Sequence, residues 1–144
     1  MIKNIVFDMD GVLLDTEAVF MRCWKKLGEE LQLPNVEETA RKCIGITVTQ
    51  TEALFQKEYG EKYPCESYVG AANAIFYKQE ADQGIPEKPG VHELFAYLKE
   101  QNYRIGLASS TQRQAVYRQM KAAGIFDDFD VIVCGDMVTK SKPN

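Results

Sequence analysis

A chain of 144 residues with 45% hydrophobic content has the usual size of one domain and enough apolar material to bury a core. No apolar run approaches the roughly 20 residues that span a bilayer, and the first residues lack the basic-then-apolar layout of a secretion signal, so no membrane partner is expected and the expected location is the cytoplasm. A net charge of −4 without a basic face speaks against nucleic acid bound through its phosphates, although a pocket in an acidic protein can be locally positive enough for a small anion.

Near its start the chain carries Ile2, Ile5, Val6 and Phe7, β-forming residues that scarcely alternate. That pattern predicts a parallel strand buried on both faces. The run stops in Asp8-Met9-Asp10-Gly11. Asp15 or Thr16 then offers an N-cap with Glu17 in the first turn, and Val19, Phe20, Cys23, Trp24, Leu27 and Leu31 recur at helical spacing, which predicts a helix over 17–31. Further helices are predicted over 36–43, 48–59 and 66–83, separated by Pro34, by Ile44-Gly45-Ile46-Thr47 and by Gly60 to Pro64. Residues 15–84 therefore read as a helical domain without a strand. Gly84 to Gly90 breaks all periodicity and reads as a linker.

Beyond the linker the pattern changes to alternation. Val91, Leu94, Phe95 and Leu98 form a helix face, a strand is predicted over 103–108, and Ser109-Ser110-Thr111 reads as the cap of a helix over 112–123 that Gly124 stops. Val131 to Cys134 is the next strand. Strands alternating with helices imply a parallel sheet. The predicted architecture is thus one discontinuous α/β domain, 1–14 with 85–144, and an inserted helical domain, 15–84. Cys23, Cys43, Cys65 and Cys134 lack metal-ligand or disulfide-framework spacing and read as reduced, packed thiols. His92, the only histidine, falls at a helix start, where a catalytic role is not expected, and Arg113 reads as an exposed helix arginine.

Open α/β sheets present their ligands at the carboxyl ends of strands. Three groups fall at that edge: Asp8 and Asp10 after the first strand, Ser109 and Ser110 after the second, and Lys140, Ser141, Lys142 and Pro143 after the third. Two acids one residue apart resist ionising together, so a cation or a shared proton is expected beside them. Hydroxyls and free amides at a helix start suit an anion, and a lysine arriving there would neutralise a phosphate. Taken alone, Asp-x-Asp-Gly is a common turn, the serines are ordinary caps and the lysine is a surface lysine; their convergence on successive strand ends is what points to chemistry.

With these signatures, Asp8-Met9-Asp10-Gly11-Val12 with Asp15-Thr16-Glu17, Leu107-Ala108-Ser109-Ser110 and Ser141-Lys142-Pro143, the chain resembles a haloacid dehalogenase superfamily hydrolase of the helical-cap subgroup, similar to β-phosphoglucomutase-like phosphatases. The resemblance implies a three-layer, parallel-sheet, Rossmann-like α/β core with an inserted α-helical bundle cap. It implies that Asp8 is a nucleophile forming an aspartyl-phosphate and that Asp10 is the general acid and base. Magnesium would be held by the Asp8 carboxylate and the Asp10 backbone carbonyl, while Ser109, the amide of Ser110 and Lys142 would bind the phosphoryl group.

The implied partner is a small phosphorylated metabolite, a sugar or nucleoside phosphate, read by the cap through the Ile44 to Thr47 loop. Phe20 and Val48 stand where sugar-phosphate mutases of the subgroup carry a histidine and an arginine, which favours a phosphatase over the mutase. A receiver-like or catalytically silent binding module is the other alternative; receiver domains have no helical insert after the first strand. Family members continue past the lysine-proline pair with two strands and an acidic metal-binding loop. The expectation is therefore that the 144 residues are an incomplete piece of a longer enzyme, weak in magnesium binding and in turnover, with the first strand left as an apolar edge.

Overall fold

The computed structural model describes residues 2–140 and 142. Ser141, Pro143 and Asn144, two of which belong to the lysine motif, lie outside the described residues. The chain forms two compact units, Met1–Thr16 with Gly84–Asn144, and Glu17–Gln83.

In the first unit the strands β1 (Asn4–Phe7), β2 (Arg104–Ala108) and β3 (Val131–Val133) make a parallel sheet in the order β1-β2-β3. Val6 stands beside Gly106 and Gly106 beside Val131. The helices of this unit are α5 (Val91–Glu100), which precedes β2, and α6 (Arg113–Ala122), which links β2 to β3. A sheet whose strand order advances steadily in one direction, with right-handed crossovers, receives its connecting helices on a single face. The core accordingly gathers Ile5, Phe7, Ile105, Leu107 and Ile132 from the sheet with Val91, Phe95, Leu98, Val116 and Met120 from the helices. Phe95 stacks on Phe7 with ring centroids 5.3 Å apart and meets Phe129 edge-on.

This arrangement corrects the reading of β1 as buried on both faces. Val6 is 67% exposed and Val131 55% exposed, because α5 and α6 cover only the opposite face. The lack of alternation in Ile5-Val6-Phe7 concealed an alternating burial. Where the chain leaves and re-enters this unit its two passages are tied together: Asp15 N–H donates to Pro86 O at 2.7 Å, Lys88 N–H to Leu13 O at 2.8 Å, and Lys88 Nζ reaches Asp15 Oδ1 at 2.9 Å.

The second unit holds α1 (Thr16–Leu31, whose first residue belongs to the first unit), α2 (Val36–Lys42), α3 (Val48–Tyr59) and α4 (Tyr68–Gln83). Aromatic side chains form its centre: Trp24 stacks on Phe55 at 4.2 Å, and Phe55 also meets Tyr59 and Tyr68. Tyr59 places its hydroxyl 2.8 Å from Thr39 Oγ1 and 2.9 Å from Pro34 O, so the ring is buried without leaving its polar end unpartnered. Thr47 and Gln50 cap α3 reciprocally. The start of α4 depends on a residue far away in sequence, since Glu52 accepts from Tyr68 N and Val69 N. All four cysteines are free thiols, and burial pushes the thiols of Cys23, Cys43 and Cys134 above their ordinary value. Among the described residues no helix is long and apolar enough to cross a membrane.

Candidate active site

The strand-end groups are set by the sheet register. Asp8 follows the last residue of β1, Ser109 follows the last residue of β2, and Phe7 pairs with Leu107, so the two departures lie side by side. Met9 is fully buried and its carbonyl accepts from Val12, Leu13 and Leu14. Gly11 takes φ +74°, a left-handed conformation that glycine adopts without steric cost, and the tight turn so formed leaves Asp8 and Asp10 exposed on either side of an anchored methionine.

Lys142 joins the first two strand ends. Its Nζ donates to Asp8 Oδ1 at 2.9 Å and to Ala108 O at 3.1 Å. Asp8 Oδ1 also accepts from Met9 N–H at 2.9 Å. The ion pair is about half exposed on both sides, a setting in which such pairs add only about 0–1 kcal/mol to stability; the contact neutralises Asp8 more than it holds the fold.

Ser109 is buried, donates its N–H to Val133 O at 2.9 Å and accepts at Oγ from Thr111 N–H at 3.1 Å. Ser110 is exposed, and its carbonyl lies against Gly135. Ala108, Ser109, Ser110, Lys140 and Lys142 share the lining of a cavity of about 110 Å³. Asp10 is held by a residue that the sequence reading treated only as a helix cap: Thr111 Oγ1 donates to Asp10 Oδ2 at 2.9 Å.

The expected cap of α6 is corrected. No side chain of Ser109, Ser110 or Thr111 caps the helix; instead Asp136, in the short 3₁₀ turn Gly135–Met137, accepts from Arg113 N–H at 2.7 Å. Arg113 also pairs with Asp136, Nε to Oδ2, at 3.9 Å. The only signal for Asp136 in the sequence was its place just after β3, at the same edge as Asp8 and Ser109. His92 lies apart from these groups in the hydrogen-bond pattern and pairs with Glu87 at 2.6 Å.

Among the described residues no group of three or more histidine, cysteine, aspartate or glutamate side chains is placed to hold a metal ion. Asp8 and Asp10 nonetheless supply hard oxygens on either side of Met9. Magnesium is bound through one or two carboxylates, with waters and substrate phosphate completing the shell, so the two residues fit that ion as part of its coordination.

A family model described as haloacid dehalogenase-like hydrolase matches residues 5–144. The chain is 33% identical to a phosphoglycolate phosphatase of Nitrosococcus oceani and 26% identical to a phosphorylated carbohydrates phosphatase of Thermotoga maritima, in both cases over 99% of this chain. It spans about 65% of the length of each of these curated relatives. Among solved structures, CbbY of Rhodobacter sphaeroides in complex with phosphate superimposes with a TM-score of 0.65 at 27% identity, over 100% of this chain and 68% of that one.

Proposed function

Since the chain belongs to the haloacid dehalogenase-like hydrolases, we propose that it carries the catalytic apparatus of a phosphatase acting on a small phosphomonoester of the sugar or nucleoside phosphate type. The observation that carries this reading is the contact of Lys142 Nζ with Asp8 Oδ1 at 2.9 Å, made across two strand ends and beside the buried Ser109. A carboxylate attacking an anionic phosphoryl group meets like-charge repulsion, and a fixed ammonium at the attacking group offsets it.

In this reading a carboxylate oxygen of Asp8 forms a bond to phosphorus as the bond from phosphorus to the ester oxygen breaks, and the departing oxygen keeps the electron pair. Asp10, protonated, delivers its proton to that oxygen. In the second half Asp10, now a carboxylate, takes a proton from water, whose oxygen attacks phosphorus and frees Asp8. Splitting the reaction in two replaces one difficult displacement by two easier ones. Ser109 Oγ, the Ser110 amide and Lys142 hold the phosphoryl oxygens in the loop that leads from β2 into α6. Magnesium, held by the Asp8 carboxylate and the Asp10 backbone carbonyl, would supply charge neutralisation and orientation of the phosphoryl group. The names of the relatives, phosphatases of phosphoglycolate and of phosphorylated carbohydrates, support a small phosphorylated metabolite as partner.

The test is phosphate release from a panel of phosphomonoesters with and without magnesium, in the wild type and in Asp8→Asn. Hydrolysis should require magnesium and fall by roughly three orders of magnitude or more in the variant, as expected for a group that bonds to the reacting atom. Undiminished hydrolysis by Asp8→Asn would remove the nucleophile assignment.

A further inference from the structure

We infer that Thr111 is a positioning residue for the acid/base carboxylate of Asp10, an inference that rests on the hydrolase reading above. Thr111 is fixed from three directions. Its N–H donates to Ser109 Oγ at 3.1 Å, its carbonyl accepts from Gly135 N–H at 2.9 Å, and its hydroxyl donates to Asp10 Oδ2 at 2.9 Å. The residue therefore links the loops that follow all three strands.

Both backbone groups of Thr111 are committed before its side chain is considered, so the position of Cβ is set by the loops after β2 and β3. Threonine is stiff at χ1. The hydroxyl is aimed at the β1 loop with little rotamer freedom to lose. Gly135 makes the clasp possible: a Cβ there would stand 2.1 Å from Ser110 O, so only glycine lets the β3 loop close on the Ser110–Thr111 peptide. Asp136, the next residue, holds Arg113 N–H at 2.7 Å and fixes the same turn from its other side.

The chemical reason for such a device lies in what Asp10 has to do. A general acid must come within hydrogen-bond reach of the leaving oxygen, and Asp10 is exposed on a turn whose glycine makes it permissive. A misplacement of about 1 Å can cost about a hundredfold in rate. A single directed donor removes most of the carboxylate's freedom. It does so without a second charge that would compete with the reaction.

The prediction separates this role from general structural support by comparing Thr111→Val, which keeps the shape and removes the donor, with Thr111→Ser, which keeps the donor. Hydrogen bonds to charged groups are worth enough that Thr111→Val should lower kcat for phosphate release by roughly tenfold or more, with KM within about twofold, and Thr111→Ser should recover most of the loss. Crystal structures of the two variants supply a readout independent of activity: the Asp10 carboxylate should leave its place in the valine variant and keep it in the serine variant. An unmoved carboxylate in Thr111→Val, or equal losses in valine and serine, overturns the inference. Asp8→Asn assayed in parallel keeps the two questions apart, since retained hydrolysis there refutes the reaction while the crystallographic comparison still decides the role of Thr111.

Discussion

Glu52 in the helical unit and Asp8 in the α/β unit are both carboxylates that accept hydrogen bonds, and their surroundings differ in kind. Glu52 accepts from Gln56 Nε2 at 2.9 Å, Tyr68 N–H at 3.1 Å, Ser67 Oγ at 3.1 Å and Val69 N–H at 2.8 Å. Burial works to raise its pKa, but these hydrogen bonds prevail and hold the carboxyl below its ordinary value. Glu52 is thereby committed to starting α4 and fastening it to α3. Asp8 receives Lys142 and the N–H of its own neighbour, both on Oδ1, and its side chain stays 46% exposed. Saturation with donors makes a fastener; sparse coordination at a strand end leaves carboxylate oxygens accessible, as the proposed nucleophile requires.

Substitution at the two positions should therefore move different observables. Asp8→Asn should abolish magnesium-dependent phosphate release while moving the urea midpoint by less than the equivalent of about 0.5 kcal/mol, the range of surface changes. A collapse of stability in that variant would show that Asp8 too is a fastener. Glu52→Ala is the mirror image: losing the carboxylate at the start of α4 should destabilise the fold by roughly 1–2 kcal/mol, the scale of a lost helix cap. The chemistry of the strand-end groups in the folded fraction should be unchanged. Circular dichroism at 222 nm during urea titration measures the first effect, and a kcat unaffected after correction for folded protein checks the second.

Acid should expose the same contrast with a smaller effect. Because the folded Glu52 has a lowered pKa and an unfolded glutamate titrates near about 4.3, its contribution is complete above the unfolded value and disappears as pH falls through the folded value. Glu52→Gln should flatten that part of the stability profile, with a change of about 1 kcal/mol or less. An acid limb identical in wild type and variant would mean that Glu52 is not the fastener described.

What the sequence made legible follows from the range over which each feature is encoded. The helix over Val48–Tyr59 has the predicted bounds because the signals that delimit it, the Ile44 to Thr47 break and Gly60, lie directly beside it in the chain. The parallel sheet followed from alternation of strand and helix, and the family from short motifs at the strand ends. Features made by residues distant in sequence were hidden. Nothing in Glu66-Ser67-Tyr68 shows that α4 begins under a carboxylate from position 52, and nothing in Ser109 to Gln112 shows that Asp136 caps α6. The exposure of Val6 escaped for a related reason: which face of an apolar strand is covered depends on where the crossovers run. Thr111 was visible as a residue, but its bond to Asp10, 101 positions earlier, is a property of the sheet.

The finest test of the contrast is Lys142, whose two contacts allow either use. If it serves to neutralise Asp8, then Lys142→Met should leave stability nearly untouched, because an ion pair about 47% and 46% exposed is screened by water and contributes about 0–1 kcal/mol at most. Its second bond, to Ala108 O at 3.1 Å, is exposed as well, and water can replace a lost exposed donor at little cost. The carboxylate that Lys142 leaves behind stays solvated, so no buried-charge penalty follows. A urea midpoint shifted by the equivalent of 2 kcal/mol or more would place Lys142 beside Glu52 among the fasteners and would require another source for the positive charge beside Asp8.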